Sequence, residues 1–515
     1  RGTYTMTNSS QFDYYGSINV SYTKSFGRHL VQGIVGGELK ETNSESDAYK
    51  TVGFLDDPLG YPSYAVQFDS YTGPSGSSSL SRSAGMFANF NYSWDNRYLI
   101  DLTGRIDGSS NFASKQRSAP FWSAGVRWNI YNEKFMKTHG WFENLAVRAN
   151  IGTVGNQNFQ LSQIMTLYNF LKMYDGVMGA EIMSIANPEL KWQTTLNRNI
   201  GLEFSLLQGL VNLDFNYYSN ITKNNLTDIA ILPSTGFSTY KANMGKVRNQ
   251  GYEFSLSITP IKKNGWIVNA FVNGAHNKNK LLNISDALRD YNEVIKENQT
   301  AHLNYAGYTQ LERIFLFEEG QSLNSIFAVR SMGIDPGTGQ EIFVTADGVQ
   351  TFQWNAADQV VVGNTEPTLK GYFGLNVDYK RWSFGANFQY SFGADRYNKT
   401  LYEKIEGGNF AQNADRRALT QRWTKPGDVA KYRGYGNTSQ LKPTSRFVQK
   451  DDFLSMTSAR LSYTLNANDL QALGISLLKF TLSTNDLFYV STIKQERGLS
   501  YPFARTFYFS LQANF

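Results

Sequence analysis

Polar and apolar residues alternate along this chain with a period of two over runs of about 9 to 13 residues, which predicts strands with one face against apolar surroundings. Ala88, Phe90, Tyr92 and Trp94 make one such face, with Asn89, Asn91 and Ser93 opposite. Tyr98, Ile100, Leu102 and Ile106 repeat it against Asp101, Thr103, Arg105 and Asp107. Only Asp95-Asn96-Arg97 separates the two runs, so they predict a hairpin. The pattern recurs in Trp122, Ala124, Val126, Trp128 and Ile130 against Ser123, Arg127 and Asn129, and in Leu213, Phe215 and Tyr217 against Asn212, Asp214 and Asn216. It returns in Phe373, Leu375, Val377 and Tyr379 against Asn376 and Asp378.

Connections between these strands alternate between tight and long. Short links fall near Gly27-Arg28, Asp95-Asn96, Gln208-Gly209, Lys262 to Gly265, Gly320-Gln321 and Arg381-Trp382. The long segments, 42–80, 154–190, 222–242, 278–302, 335–370 and 395–450, are rich in Asn, Gly, Ser and Tyr. Long loops on one rim and short turns on the other are the polarity of an outer-membrane barrel, with the long set outside the cell. About 17 strands result, the last running inward from Phe503 to Phe515, and an odd number predicts that an N-terminal part of the barrel lies outside this sequence. Aromatic residues gather at strand ends, Trp94 with Tyr98, Trp128 with Tyr131 and Trp141, Tyr379 with Trp382, as in an interfacial girdle. The last run alternates Phe507, Phe509, Leu511, Ala513 and Phe515 with polar residues to the final position, like the C-terminal signal that directs barrel insertion.

Composition narrows the class. No apolar run approaches the length of a spanning helix, so contact with lipid requires a closed barrel. There are no cysteines and four scattered histidines, His29, His139, His276 and His302, which argues against disulfides, thiol catalysis and histidine metal sites. No nucleophile elbow, phosphate loop or dinucleotide fingerprint occurs, and Gly337-Thr338-Gly339 reads as a turn after Asp335-Pro336. Neither an enzyme nor a resident cofactor is expected. A net charge of +6 without a basic tract makes nucleic acid an improbable partner. The chain starts at Arg1 with neither Met nor a signal peptide and reads as the interior and end of a longer precursor.

Candidate ligand-contacting residues lie on the polar faces: Asp101, Arg105, Arg127, Arg148, Glu203 and Asp378. Facing lipid at mid-bilayer, an Arg would cost roughly 2 to 4 kcal/mol, which directs them to the lumen. The competing reading is that they pair with one another or with a plug. Tyr61, Tyr64, Tyr71, Tyr168 and Tyr174 in the long segments suit stacking on sugars and contact with peptides alike.

Several stretches in order resemble the SusC/RagA family of TonB-dependent outer-membrane transporters: RYLIDLTGRIDGSSNF from Arg97, GTVGNQ from Gly152, NPELKWQTT from Asn187 and MGKVRNQGYEF from Met244. GIDPGTGQ from Gly333, VGNTEP from Val362 and YPFARTFYFSLQANF from Tyr501 complete the set. Before the final strand the chain reads Gln495-Glu496-Arg497-Gly498 where the family often has a DPE-type motif. The resemblance implies an all-β transmembrane antiparallel barrel of 22 strands, of which this chain holds about 17, with the plug, TonB box and first strands outside residues 1–515. It further implies outer-membrane lipid as surroundings, TonB and a SusD-like surface lipoprotein as partners, and active import of oligosaccharides or peptides. A passive porin or adhesin barrel, and a soluble all-β carbohydrate-binding or enzymatic protein, are the alternatives.

Overall fold

A hairpin of great length begins the chain: Gly2–Phe26 pairs with His29–Phe54 from Phe26↔His29 beside the turn out to Gly2↔Phe54. The computed structural model describes residues 2–54, 61–69, 74–111, 117–136, 141–156, 166–174, 177–184, 187, 190–230, 236–237, 239–243, 245–297, 316–408, 415–436, 441–466, 470, 474–494 and 504–515. Among the described residues seventeen strands share one sheet, and two of them, Gln67–Phe68 and Tyr489–Ser491, are only two and three residues long. The expected number is therefore reached, but fifteen of the strands are long and two are short additions.

The chain divides into two compact units. In the first, made of Arg1–Val126, Asn150–Asn197 and Thr222–Met244, His29–Phe54 pairs on its other side with Ser75–Trp94, which pairs with Tyr98–Ser109. In the second, made of Arg127–Ala149, Arg198–Ile221 and Gly245–Phe515, an antiparallel meander runs through Gly245–Lys263, Trp266–Ile284, Leu369–Tyr379, Trp382–Phe392, Phe453–Asn466, Leu477–Asn485 and Phe507–Asn514. The strands Ser118–Asn129, Phe142–Asn156, Gln193–Leu206 and Val211–Lys223 belong to the same sheet and contribute to both units.

Turn chemistry explains the hairpins. Asn264 and Gly265 have φ of 54° and 78°, the paired positive values of a two-residue turn whose twist matches the strands it joins. Five of the six short links are tight turns, of two residues at Gly27-Arg28, Asn264-Gly265 and Lys380-Arg381, three at Asp95-Asn96-Arg97 and four from Leu207 to Leu210. The sixth is not: Gly320 and Gln321 bond to the backbone of Leu281, while Trp266–Ile284 pairs directly with Leu369–Tyr379. Close strand approach elsewhere depends on glycine, since a Cβ on Gly371 would lie 2.0 Å from the Asn273 carbonyl oxygen. The Tyr390 hydroxyl covers that space and donates to the same carbonyl at 2.9 Å.

The two faces of the sheet strands differ as the alternation predicts. Met86, Ile100, Leu102, Ile106, Trp122 and Val126 are all exposed, Leu102 by 47% and Ile106 by 59%, whereas Asn89, Asp101, Arg105 and Arg127 are half-buried. A soluble protein does not leave so continuous an apolar surface uncovered, and hydrocarbon is the medium that suits it. Buried apolar clusters occur instead outside the sheet, as in Tyr402 with Phe447 and in Ile405 with Ala418 and Tyr432.

The described parts of the long segments are folded rather than open loops. Much of 42–80 is strand, Leu167–Tyr174 pairs with Val177–Ser184, Leu226–Ala230 pairs with Thr239–Asn243, and Asp286–Glu297 is a helix. Ser325–Ile334, Glu341–Val344, Gln350–Thr351 and Gln359–Asn364 make a separate four-stranded sheet. Among the described residues no helix is long and apolar enough to cross a membrane.

Leu102→Arg, at the middle of its strand on the exposed face, is expected to destabilise the protein by about 2 to 4 kcal/mol in lipid vesicles. Thr103→Arg, one position along on the other face, is expected to cost less; denaturant titration in vesicles compares them, and equal losses would contradict the assignment of faces.

Candidate functional site

In the second unit, arginines from two strands converge on one carboxylate of a third, Glu203 of Gln193–Leu206. Arg127, near the end of Ser118–Asn129, donates to Glu203 at 2.7 and 3.2 Å, and Arg148 of Phe142–Asn156 donates to the same carboxylate from its other side. Arg148 continues to Asp214 at 3.1 Å and to Asn216 at 2.7 Å, and Arg127 to Asn129 at 2.8 Å. Alternation places these groups on one face, and the strand offsets bring each arginine between two acceptors. Gly201 leaves room for the Arg148 side chain, because a Cβ there would meet its Nε at 2.5 Å. Two cations and two carboxylates balance, and both Glu203 oxygens are occupied.

A second network lies in the first unit. Arg105 donates to Asp107 at 2.6 Å and to Glu38, and Tyr15 adds a bond to Glu38 at 3.2 Å. Asp101 accepts from Asn89 at 3.2 Å, and Asn89 also donates to Thr103 at 2.8 Å. Asp378 accepts from Ser383 beside the Lys380-Arg381 turn. The structure thus groups Arg127, Arg148 and Glu203, sets Arg105 in a separate network, and leaves Asp101 and Asp378 with one neutral donor each. Tyr168 is exposed, and Tyr61 and Tyr64 meet edge to face at 6.1 Å between ring centres. Tyr71 and the Tyr174 side chain lie outside the described residues.

Sequence reasoning missed a third cluster, in the folded segments beyond the sheet. The Glu406 side chain is fully buried and accepts from Arg433 at 3.0 Å and from Arg446 at 2.6 Å. Arg446 also grips Glu341 through two nitrogens, at 2.8 and 3.1 Å. Burial opposes its charge, yet the bonds to Glu341 and Glu406 prevail and hold the guanidinium above its usual range. Arg422 donates to the backbone carbonyls of Ala418, Ile405, Glu406 and Arg433, and burial lowers its pKa. Asp415 caps the short helix Arg416–Thr420 and pairs with Arg417, whose bonds bring its carboxyl down to about 2. Glu341 and Arg446 stand 105 positions apart, so no local pattern announces their pairing. This cluster ties a strand of the separate sheet to the π-helix Thr400–Glu406 and the segment around Ser445–Phe447.

Such an arrangement can hold shape and present polar and aromatic groups, and among the described residues no group of acids, His or Cys is placed to bind a metal ion. A family profile described as TonB dependent receptor-like, beta-barrel, matches residues 1–315. A TonB-dependent receptor of Formosa agariphila is 26% identical over 93% of this chain and 49% of its own length. TonB-dependent receptor SusC of Bacteroides thetaiotaomicron is 26% identical over 79% of this chain and 40% of its own. Among solved structures, that of the RagAB peptide transporter superposes with a TM-score of 0.83 at 24% identity, covering 95% of this chain and 53% of that one. The chain spans about half the length of the curated relatives it matches.

Glu203→Gln removes the charge shared by Arg127 and Arg148 and is expected to cost about 1 to 3 kcal/mol of stability, read by denaturant titration in vesicles. Glu406→Gln leaves buried guanidinium groups uncompensated, an expected loss of about 3 to 5 kcal/mol. It should show as faster proteolysis within 395–450, with the heat-dependent gel mobility of the folded barrel unchanged; uniform cleavage at wild-type rate would refute it.

Proposed function

This chain belongs to the TonB dependent receptor-like β-barrel family, a family of the outer membrane, and we propose that it supplies the C-terminal wall and outer segments of an active importer for oligomeric nutrients. In this reading the first strands, plug and TonB box precede residue 1, and the cargo is an oligosaccharide or a peptide. A SusD-like surface lipoprotein closes over the outer segments, cargo is captured between the two, and TonB-driven rearrangement of the plug opens the path.

One observation carries this reading furthest: strands with an exposed apolar face and an internally paired charged face continue into folded segments held by a buried ion-pair cluster. The wall needs the first property to sit in lipid. A docked lid and bound cargo need the second, because a preformed surface loses little entropy on association. Arg127, Arg148 and Glu203 satisfy one another, so their part is to brace the wall. Asp101, Asp378, Tyr61, Tyr64 and Tyr168 retain free capacity for hydrogen bonds or stacking and are the better candidates for contact with cargo. Phe507, Phe509 and Phe515, exposed by 61%, 70% and 90%, serve as the recognition strand for insertion.

The full-length protein extracted in detergent is expected at about twice the 58.1 kDa of this chain, with a lipoprotein alongside. Its deletion should abolish growth on one class of oligomer, and so should loss of TonB. A fragment-sized protein without a partner would overturn the importer and favour a passive barrel. Phe515→Ala is expected to reduce the folded fraction in the outer membrane several-fold, scored by heat-modifiable gel mobility.

A further inference from the structure

The apolar face of the hairpin Gly245–Lys263 and Trp266–Ile284 changes character along its length. Cross-strand partners share a face, so Ile258↔Ala270, Leu256↔Val272, Phe254↔Gly274 and Tyr252↔His276 define the apolar one, continuing from the turn at Asn264-Gly265. Beyond Tyr252 the same face carries Gln250↔Lys278 and then Arg248↔Lys280. The opposite face at this level is the paired polar one, where Asn249 accepts from Asn277 and Asn279.

Three cations therefore stand together on the lipid side, at the end away from the short turn, two of them directly opposite each other. Like charges so placed repel. Among the described residues no acidic side chain bonds to any of them, and the Arg248 Nε is buried without a partner. Neighbouring acids are engaged elsewhere: Glu319 accepts from Arg289, Asn283 and the Ile284 backbone, Glu318 from Lys296, and Glu366 from Asn277 and Asn324. Tyr252 stacks with Phe215 at the border between the apolar and cationic zones, the level of an interfacial aromatic.

We infer that Arg248, Lys278 and Lys280 form a binding site for the phosphate of an anionic lipid headgroup in the outer leaflet. Continuity with the lipid-facing band selects the occupant: a group reaching this face from the membrane presents its phosphate just past Tyr252. An anion between Arg248 and Lys280 turns their repulsion into attraction. The inference rests on residence in the outer membrane and is independent of what is imported.

The test uses full-length protein in nanodiscs of phosphatidylcholine with or without phosphatidic acid, with inorganic phosphate as the soluble arm. Wild-type protein should enrich phosphatidic acid, as read by mass spectrometry of bound lipid. The triple variant Arg248→Gln, Lys278→Gln, Lys280→Gln should lose affinity about tenfold or more, with its folded gel mobility intact. Lys262→Gln with Lys263→Gln, beside the short turn, should change little. Equal enrichment by wild type and triple variant overturns the proposal. So does displacement of the lipid by inorganic phosphate at matched concentration, and so does a triple variant that keeps its lipid but loses a co-purifying lipoprotein.

Discussion

Hydrocarbon offers no partner to a backbone amide or carbonyl, and this constraint governs the rest of the structure. A strand in that medium gives its hydrogen bonds to both neighbours, so strands must follow one another in an unbroken ladder. Once the ladder is obligatory, side chains have two destinations only. Greasy residues take the lipid side, and everything polar is driven to the other, where Arg127, Arg148, Glu203 and Asp214 neutralise one another. The interior of the wall is thus a product of the exterior, and its ion pairs are the means by which charge is accommodated in a confined space.

That logic decides what the sequence revealed. Where both media act on a strand, as at Asn89 to Trp94 and Asp101 to Ile106, alternation is strict and both the hairpin and its faces were legible. Where a strand rises beyond the membrane, water bathes both sides and alternation has no cause. Glu41 to Tyr49 is polar almost throughout, yet it pairs residue by residue with Met6 to Tyr14. It passed for loop because no apolar face marks it: its cross-strand side-chain bonds are polar, as where Thr42 donates to Asp13 at 2.6 Å. The link at Gly320-Gln321 misled for a related reason: turn-forming residues mark a bend, but not which strands it joins.

The candidate site divides along the same line. Single polar-face residues were readable by parity, whereas their grouping depends on offsets between strands that no one segment encodes. The Glu341, Arg446 and Glu406 cluster lay beyond reach altogether, because its members come from segments far apart in the chain, a strand of the separate sheet, the π-helix Thr400–Glu406 and the segment around Ser445–Phe447. Burying these charges is costly unless all are paired, so the cluster tolerates one arrangement of the segments around it and gives the outer region a defined surface.

The first hairpin adds a geometric lesson. At ~3.4 Å per residue its 25-residue strand reaches roughly 85 Å, far more than a bilayer needs. Its register starts from the single turn at Gly27-Arg28, with Phe26 opposite His29. A slip of one position there would be carried undiminished to the far tip, turning every side chain to the opposite face along the way. The two residues of that turn thus decide, for both strands at once, which side chains meet each medium from the turn to the tip.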